Sequence, residues 1–600
     1  MNVDITLPDG SQRNYESPVT GYQIAESIGP RLLKDAICVE IDNKFQDLSY
    51  EISKDTSVRI VTTKDLDALN ILRHSSAHIL AQAVLNIYPN AQFGVGPSIE
   101  NGFYYDFLFE NPIKENDLEI IEKEMKRIAK SSQKFIRSEI TKKDAVKIFK
   151  NQNLKLELIE SAESDEGVGD EVVSTYTNDE FVDLCMGPHI PNTNVLKYFK
   201  LTKISGAYWR GDDSNVQLQR IYGTSWFTKE DLNQYLIQQE EAEKRDHRKL
   251  GNELDLFASS EELGSGNFLW KPKGAVLRDV IESYSKKAHL QNGYSLVNTP
   301  HIGKSILWET SGHLDHYSEN MYPPIHHVEN NETYYLKPMN CPFHILVYKS
   351  DLHSYKELPL RYFEFGSVYR YEKTGVLHGL LRLRGFTQDD AHIFCTIEQI
   401  NDEVKTLLSF SVNLLSSFGL TEIEADLSTK PKKYIGSDKD WDNATSSLKQ
   451  SLTELEVPFQ TAEGEGAFYG PKIDLHAKDA IGRRWQLSTI QIDFAQPENF
   501  DIEYVNSNNK KSRPVMIHRA LLGSVERFTA VLLEHYAGNL PGWLSPTQVD
   551  ILTIGDVYDY AENILNDLNS FRVNLDNRNI RLGEKLHNSE KSKTPIQIII

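Results

Sequence analysis

The chain has 600 residues, of which 40% are hydrophobic and 25% charged, and its formal net charge is −21. This length is too great for one hydrophobic core and predicts roughly three to five domains. The acidic balance argues against a general nucleic-acid coat but is compatible with a local basic groove. No apolar run is long enough to span a membrane, and residues 1–10 lack the pattern of a secretory signal. The sparse cysteines are typical of a reducing compartment and favour a cytoplasmic protein; they are Cys38, Cys185, Cys341 and Cys395.

The N-terminal part of the chain predicts two units of mixed α and β structure. Residues 1–62 alternate between apolar and polar positions at period two, which predicts a compact mixed sheet with one helix at 21–28. Residues 63–225 predict a larger α/β unit that begins with a helix at 71–87. The acidic segment 160–170 contains two glycines and predicts a loop in this unit.

The rest of the chain predicts a linker, a large sheet and a final α/β unit. Residues 226–251 are dense in charged residues and glutamine, and they predict a solvated linker helix ended by Gly251. Between 252 and 540, long strands alternate with helices, which indicates a large mixed or antiparallel sheet. Residues 545–600 predict another α/β unit, which stops at Ile600 inside a strand-like run. The fold class is therefore α+β with several domains.

Residues 364–390 are predicted to form a hairpin with cations at one end. Arg370 and Glu372 close the first predicted strand, and Arg382 and Arg384 lie on the second. Arginine binds phosphate through two parallel hydrogen bonds, so a phosphate site is one interpretation. A surface hairpin with weak salt bridges is an equal alternative on these residues alone.

Residues 518–528 are predicted to form a helix in which Arg527 is the charged exception beside the apolar face. Gly523 permits close approach of another backbone. A lone arginine on a helix is usually solvated, so this segment alone indicates no site. The predicted apolar face consists of Ala520, Leu521, Leu522, Val525 and Phe528.

Three segments together resemble the class II aminoacyl-tRNA synthetases. The hairpin is similar to motif 2 of that class, and residues 518–528 are similar to motif 3. Residues 293–300, which end in a proline, resemble motif 1, the dimer-forming strand. Three longer runs narrow the resemblance to the threonyl-tRNA synthetases: KPMNCP at 337–342, RGFTQDDAH at 384–392 and FYGPKID at 468–474. The resemblance extends over essentially the whole chain.

The resemblance implies four domains and the linker helix at 226–251. It implies a ubiquitin-like TGS domain at 1–62, an editing domain at 63–225 and an antiparallel-sheet catalytic core at 252–540. Residues 545–600 resemble the family's anticodon-binding domain, which normally continues further, so we expect a truncated domain there.

The resemblance also implies an ATP site built from arginines. Arg370 would contact the α-phosphate, Glu372 the adenine ring, and Arg382 and Arg527 the outer phosphates, with Mg²⁺ accompanying the triphosphate. Fixed cations stabilise the charge that develops during amino-acid activation, so the three arginines are the candidate catalytic residues. Gln486 and Thr489 are further candidates for the ATP site. The implied pocket for the amino acid and the terminal adenosine contains Met339, Gln388, Asp390, Tyr469, Lys472 and Gln491.

Cys341, His392 and His518 match the family's zinc ligands. They lie far apart in the sequence, and each taken singly is more simply interpreted as a buried or incidental residue. As a set, one thiolate and two imidazoles suit Zn²⁺, and three protein ligands leave the ion open to substrate. In the family, the amino and hydroxyl groups of threonine fill the open positions. A site built for the hydroxyl group strongly rejects valine, which lacks it.

Serine keeps the amino and hydroxyl groups of threonine and lacks only its methyl group. A methyl group in a pocket contributes roughly 1–3 kcal/mol of binding free energy, so accurate selection requires a second, hydrolytic site. Residues His74 and His78 lie four apart, as do Cys185 and His189, so each pair can share one face of a local structure. The two pairs resemble the family's editing site. A structural zinc site made by the same four residues is an alternative.

Two neighbouring positions qualify this interpretation. A zinc protease needs glutamate after the first histidine, and Ser75 at that position excludes this class of enzyme. Met186 stands where the family pattern has a basic residue, which weakens the expected contact with the RNA end.

The resemblance therefore implies an enzyme that ligates L-threonine to tRNA(Thr) through threonyl-adenylate and hydrolyses Ser-tRNA(Thr). Its expected partners are ATP, L-threonine and tRNA(Thr), and a second copy of the chain in a homodimer, with no membrane. Its expected cofactors are one Zn²⁺ per subunit and Mg²⁺ with ATP. The alternative is a catalytically impaired paralogue that acts as an RNA-binding or regulatory protein.

Overall fold

The chain folds into two compact units, Met1–Gln238 and Gln239–Ile600. The structure is a computed structural model that describes residues 2–161, 167–169, 171–212, 214–327, 332–435, 437–467 and 469–600. The predicted loop at 160–170 lies largely outside the described residues. No helix in the described part of the chain is both long and apolar enough to cross a membrane.

The first unit opens with a five-stranded mixed sheet. Its core contains the alternating residues Val3 and Ile5 together with Val39 from a central strand, all buried. Thr20 caps the predicted helix Gly21–Ile28, and a second helix, Pro30–Asp35, follows it where the sequence predicts only one. The order of strands across the sheet is Gln12–Glu16, Asn2–Thr6, Thr56–Thr62, Ala36–Ile41 and Lys44–Asp47.

The rest of the first unit is built around the predicted helix, which begins earlier than expected and spans Leu66–Ile87. This helix packs against the long strands Gly102–Leu108 and Gln217–Trp226. A second sheet consists of Ile136–Thr141, Val172–Asn178 and Phe181–Leu184. The other strands are Val19–Thr20, Glu51–Ile52, Gln92–Phe93, Ser98–Ile99 and Tyr198–Tyr208. The other helices are Asp117–Lys130, Lys142–Ile148 and Asn153–Glu160.

The linker contains two helices rather than the single predicted one. Lys229–Lys244 ends before a short second helix, His247–Glu253. The side chain of Asp246 accepts a hydrogen bond from the backbone N–H of Arg248 and caps the second helix. Because an N-cap residue adopts an extended backbone, one continuous helix cannot pass through this position.

The second unit contains the large sheet that the sequence predicts, with eight strands. Its long central strands are antiparallel, and the parallel pairs lie only at the two edges. From one edge to the other the strands are Ser295–Leu296, Leu360–Tyr369, Gly385–Cys395, Val515–Ser524, Arg484–Asp493, Lys472–Lys478, Ile423–Ser428 and Phe459–Ala462. Buried helices such as Ile400–Ser417 and Val525–His535 contribute to its core.

Two predictions about the arginine-bearing segments are wrong. Residues 518–528 do not form one helix: Val515–Ser524 is a strand, and a helix begins at Val525. A short apolar run fits a buried strand as well as a helix, and periodicity cannot separate them. The second strand of the hairpin starts at Gly385, so Arg382 and Arg384 lie in the connection that precedes it.

The second unit ends in a three-stranded parallel sheet in the order Val573–Asp576, Val549–Leu552 and Ile596–Ile599. Helices Tyr558–Asp567 and Leu582–Lys591 connect its strands. The shorter strands of the second unit are Phe257–Ala258, Leu269–Trp270, Ile302–Lys304, Ile325–His327, Glu332–Leu336, His353–Ser354, Tyr504–Val505 and Lys511–Ser512. Its other helices are Pro272–Gln291, Ser305–Thr310, His313–His316, Cys341–Lys349, Asp438–Glu454 and Ala495–Asn499.

Candidate catalytic and editing sites

Cys341, His392 and His518 meet on the large sheet, as the sequence predicts for metal ligands. His392 and His518 lie directly opposite each other on neighbouring antiparallel strands. Cys341 is the first residue of the helix Cys341–Lys349. One ligand atom from each residue lies within 4.8 Å of the others, which is close enough for a single metal ion to bind all three.

Hydrogen bonds behind the two imidazoles fix which nitrogen faces the cluster. The Nε2 atom of His518 donates to Asp493 at 2.7 Å, which leaves its Nδ1 as an acceptor. The Nδ1 atom of His392 lies 2.8 Å from Nδ1 of His344, whose Nε2 donates to Glu364 at 3.1 Å. Because Nε2 of His344 donates to Glu364, its Nδ1 accepts a hydrogen bond from Nδ1 of His392, and Nε2 of His392 faces the cluster as an acceptor.

The inward nitrogens, Nε2 of His392 and Nδ1 of His518, lie only 3.0 Å apart. The outward N–H group of each ring already donates a hydrogen bond, so the two inward nitrogens face each other with lone pairs. A cation between them would remove the repulsion of these lone pairs. Burial raises the pKa of the Cys341 thiol well above its usual value, so a stable thiolate there needs a positive partner. The donor set of this structure thus fits a zinc ion.

The three predicted arginines lie where the strands of the same sheet end. Arg382 pairs with Glu372 at 2.9 Å, and Arg370 donates to the carbonyl oxygen of Pro338. Arg527 donates to the carbonyl oxygens of Gln486 and Leu381, and within the described residues no carboxylate forms a salt bridge with it. Burial, with the nearby charge of Arg382, lowers the pKa of Arg527. Neighbouring guanidinium groups of this kind are suited to a polyphosphate anion.

Several predicted pocket residues form short contacts around the cluster. Asp390 accepts from Asn340 at 2.9 Å, and the ring of Tyr469 lies 5.6 Å from that of His518. Met339 Sδ lies 3.2 Å from His313 Nε2. Lys472 and Thr489 both donate to Asp474, and Gln491 donates to the carbonyl oxygen of Gly470. Gln388 and Gln486 lie on strands of the same sheet, Gln388 opposite Gly366 and Gln486 opposite His476.

Sequence reasoning missed the residues that hold these groups in place. His344, Glu364 and Asp493 orient the imidazoles, and His344 follows Cys341 by one helical turn, a signal that was available in the sequence. Asp389 is buried and accepts backbone N–H groups of Leu521, Leu522 and Gly523. It thereby fixes the turn that leads to Arg527, and burial raises its own pKa to about 7.

The second predicted cluster, in the first unit, also assembles. Ligand atoms of His74, His78, Cys185 and His189 all lie within 4.8 Å of one another. Cys185 Sγ lies 3.0 Å from Nε2 of His74 and 3.4 Å from Nε2 of His189. Burial lowers the pKa of His74 to about 4 and the pKa values of His78 and His189 well below the usual value. Burial therefore keeps the three imidazoles neutral at pH 7 and opposes their protonation.

The cluster opens into a cleft of about 300 Å³ lined by His74, His78 and Cys185. Behind it, Asp183 forms an ion pair with the buried ammonium group of Lys155 and accepts a hydrogen bond from the hydroxyl group of Tyr105. Met186 lines the same cleft and is 57% exposed, so an apolar side chain stands where the family pattern has a cation.

An antiparallel sheet with arginines at its strand ends defines the class of the second unit. Residues 325–536 match the class II core domain of the glycyl-, histidyl-, prolyl-, seryl- and threonyl-tRNA synthetases. Residues 3–62 match the TGS domain, residues 173–222 the second additional domain of threonyl- and alanyl-tRNA synthetases, and residues 548–600 an anticodon-binding domain. These matches confirm the predicted multidomain α+β fold.

Curated relatives narrow the class to one family. The chain is 48% identical to a threonine–tRNA ligase of Citrifermentans bemidjiense over 100% of this chain and 93% of that protein. It is also 48% identical to the ligase of Nitrosococcus oceani, over 99% of this chain and 92% of the relative. A crystal structure of the RNA-binding domain of threonyl-tRNA synthetase from Cryptosporidium parvum Iowa II matches with a TM-score of 0.57 and 39% identity, over 59% of this chain and 89% of that one.

The chain belongs to the threonine–tRNA ligase family. It combines a class II core with an editing domain, and the comparisons support aminoacylation and editing. They give no support to the alternative of an impaired paralogue.

Proposed function

We propose that the chain divides the choice of amino acid between its two clusters. The cluster Cys341–His392–His518 accepts threonine and excludes valine, and the cluster His74–His78–Cys185–His189 removes serine. The observation that carries the first assignment is the pair of inward-facing acceptor nitrogens 3.0 Å apart, beside a buried thiol. Cys341, His392 and His518 would hold Zn²⁺, which supplies a Lewis acid for the amino and hydroxyl groups of threonine when bound.

Around that position, the arginines bind and orient ATP. The carboxylate of threonine attacks the α-phosphorus, the bond to pyrophosphate breaks, and threonyl-adenylate forms. We assign Arg370 to the α-phosphate and Arg382 and Arg527 to the outer phosphates, with Mg²⁺ accompanying the triphosphate. Glu372, Gln486 and Thr489 are assigned to the nucleotide. Because Arg382 now pairs with Glu372, ATP binding requires this salt bridge to open or to share its donors.

The pocket for threonine and the terminal adenosine of tRNA(Thr) is assigned to residues that border the zinc cluster. Asp390 Oδ1 lies 3.9 Å from Nε2 of His392, and the ring of Tyr469 lies 5.6 Å from that of His518. The acyl group passes from the adenylate to the ribose hydroxyl of the terminal adenosine, and AMP leaves. Met339, Gln388, Lys472 and Gln491 are assigned to the same pocket.

For the second cluster, we assign a hydrolytic role. Water attacks the ester carbonyl of Ser-tRNA(Thr) while an imidazole of the cluster accepts a proton from the water. The ester bond then breaks, the proton passes to the leaving ribose oxygen, and serine and tRNA(Thr) are released. A structural zinc site remains the alternative for these four residues, since their ligand atoms are also close enough for one ion. Zinc analysis decides between the two: one ion per chain favours hydrolysis without metal, and two ions favour the alternative.

We also propose that the enzyme is a homodimer in the cytoplasm. The strand Ser295–Leu296 lies at the edge of the large sheet, and the segment that contains it resembles the dimer-forming motif of the class. The four cysteines are buried and free, as expected in a reducing compartment. Sedimentation at a mass of one chain would contradict the dimer.

Replacing Cys341 tests the zinc assignment. Cys341→Ala should lower the zinc content and reduce threonine-dependent ATP–pyrophosphate exchange by at least about 100-fold. Mutation of a residue that only orients a metal ligand already lowers metal affinity or activity by roughly 10–100-fold. Cys395→Ala is the matched control, because Cys395 is also buried and lies on the strand that carries His392. Unchanged exchange in Cys341→Ala would remove the assignment.

A further inference from the structure

The backbone of the editing cluster is held by a residue of the TGS domain. Asp47 is the last residue of the strand Lys44–Asp47. One of its carboxylate oxygens accepts the backbone N–H of His189 at 2.9 Å. The other oxygen accepts the hydroxyl group of Tyr176 at 2.6 Å. Both oxygens of this carboxylate are thus directed at the editing domain.

Tyr176 carries the contact further into the cluster. Its ring meets the ring of His189 edge to face, with the centroids 4.4 Å apart. A Cβ atom added to Gly187 would lie 1.9 Å from the hydroxyl oxygen of Tyr176, so this hydroxyl rests directly on the turn between Cys185 and His189. The positive φ of Gly187 makes that turn possible for a residue without a side chain. Asp47 therefore fixes the turn at His189 directly and at Gly187 through Tyr176.

The ring of His189 is packed on both faces and is hydrogen-bonded at one edge. It stacks on Phe135 at 4.5 Å and on His74 at 4.7 Å. Ser75 donates to the carbonyl oxygen of Ile71, so its oxygen accepts from Nδ1 of His189 at 3.0 Å. Nε2 then faces Cys185 without a proton. These contacts set the plane of the His189 ring. The position of the His189 backbone depends instead on its hydrogen bond to Asp47.

The contact holds the Asp47 carboxylate in a half-buried position. Burial raises its pKa even though Tyr176 and His189 both donate hydrogen bonds to it. A half-buried carboxylate that lost these donors would be left with unsatisfied acceptors. On the TGS side, strand pairing places Asp47 opposite the buried residue Cys38.

We propose that Asp47 is a positioning residue of the editing site, through which the TGS domain holds His189 in the geometry for hydrolysis. This inference rests on the editing role proposed for the cluster. The TGS domain thus has a function within this chain, because its Asp47 supports the editing cluster of the neighbouring domain.

The test compares hydrolysis of Ser-tRNA(Thr) by the full-length enzyme and its variants. Asp47→Ala should lower kcat by roughly 10–100-fold with KM unchanged, because a displaced group costs rate rather than binding. Asp47→Asn should restore most of the rate, since its amide oxygen can still accept from His189 and its amide group can donate to Tyr176. Glu26→Ala, which removes an exposed carboxylate from the TGS helix, should leave hydrolysis unchanged.

Two reference measurements separate the possible failures. His74→Ala with His78→Ala gives the rate of an enzyme without editing; if this double variant still hydrolyses Ser-tRNA(Thr), the editing assignment itself is wrong. If the double variant loses hydrolysis while Asp47→Ala keeps it, only the positioning role is overturned. Loss of threonylation in Asp47→Ala, or equal losses in Asp47→Ala and Asp47→Asn together with a lower unfolding temperature, would show general damage and also overturn the proposal.

Discussion

His289 is a buried imidazole that resists protonation in the folded protein. Its ring stacks on Phe363 at 3.9 Å and meets Phe410 edge to face at 5.0 Å. Its Nδ1 atom donates to the carbonyl oxygen of Ser285 at 2.7 Å. Burial, with the nearby charge of Arg519, lowers the pKa of His289 to about 2. The unfolded chain, by contrast, binds a proton at this residue near pH 6.5.

The lowered pKa predicts a loss of stability in mild acid. Below about pH 6.5 the unfolded state gains a proton that the folded state does not, so the free energy of unfolding falls as the pH falls towards 2. At pH 5.5, His289 lowers the free energy of unfolding by about 1.4 kcal/mol relative to pH values well above 6.5. His289→Phe should therefore raise the thermal unfolding temperature of the second unit more at pH 5.5 than at pH 7.5. An equal shift at both values would contradict this account.

At the scale of single residues, the sequence was informative only about the members of known patterns. Cys341, His392 and His518 were predicted as a set because each falls in a segment that resembles the family. Asp493 was not predicted, because an aspartate that accepts from a histidine 25 positions away has no local signal. Such contacts depend on strand register, which a single sequence does not define residue by residue.

A single glycine marks the change from strand to helix before Arg527. Gly523 has a φ of +78°, and its N–H donates to Asp389. The next residue, Ser524, caps the helix Val525–His535 by accepting the N–H of Arg527 at 3.0 Å. The position of the Arg527 guanidinium group therefore depends on a backbone turn that L-residues rarely adopt.

Gly523→Ala should weaken ATP binding and stability together. The added Cβ would lie 3.0 Å from the carbonyl oxygen of Leu487, and the positive φ adds roughly 1–2 kcal/mol of strain. We expect a higher KM for ATP in pyrophosphate exchange and a lower unfolding temperature. Gly542→Ala is the matched control, because a Cβ there meets no atom within 4 Å. Equal behaviour of the two variants would argue against a special role for the turn.

At the scale of elements, the sequence predicted where strands and helices occur better than where they begin. The helix Gly21–Ile28 has the predicted bounds, since Thr20 and Gln23 form a capping box that is visible in the sequence. The segment around Gly523 was predicted wrongly, because its apolar residues suit a buried strand and a helix equally. The capping role of Asp246 was also missed, since charged residues on both sides favour one continuous helix.

For the whole molecule, the two clusters lie in separate compact units, with His74 in the first and Cys341 in the second. Discrimination against valine and against serine should therefore be separable by mutation. Recognition of one methyl group favours threonine over serine by only roughly 10–200-fold. The first site alone would therefore activate serine at a measurable rate.

His74→Ala with His78→Ala should let Ser-tRNA(Thr) accumulate, while threonine activation and the rejection of valine stay unchanged. Acid-gel analysis of tRNA charged with labelled serine measures the product, and pyrophosphate exchange with threonine and valine is the control. Absence of Ser-tRNA(Thr) in this variant would refute an editing role for the cluster.

The pairing of His392 with His518 also limits when the enzyme can become active during its synthesis. The two ligands are 126 residues apart, and the strand Val515–Ser524 is the neighbour of Gly385–Cys395 in the sheet. At roughly 5–20 residues per second, a ribosome needs about 6–25 s to make the intervening chain. Throughout that interval the nascent strand with His392 has an open edge on this side, a surface prone to aggregation. The cluster of Cys341, His392 and His518 can therefore assemble only after the core has been translated.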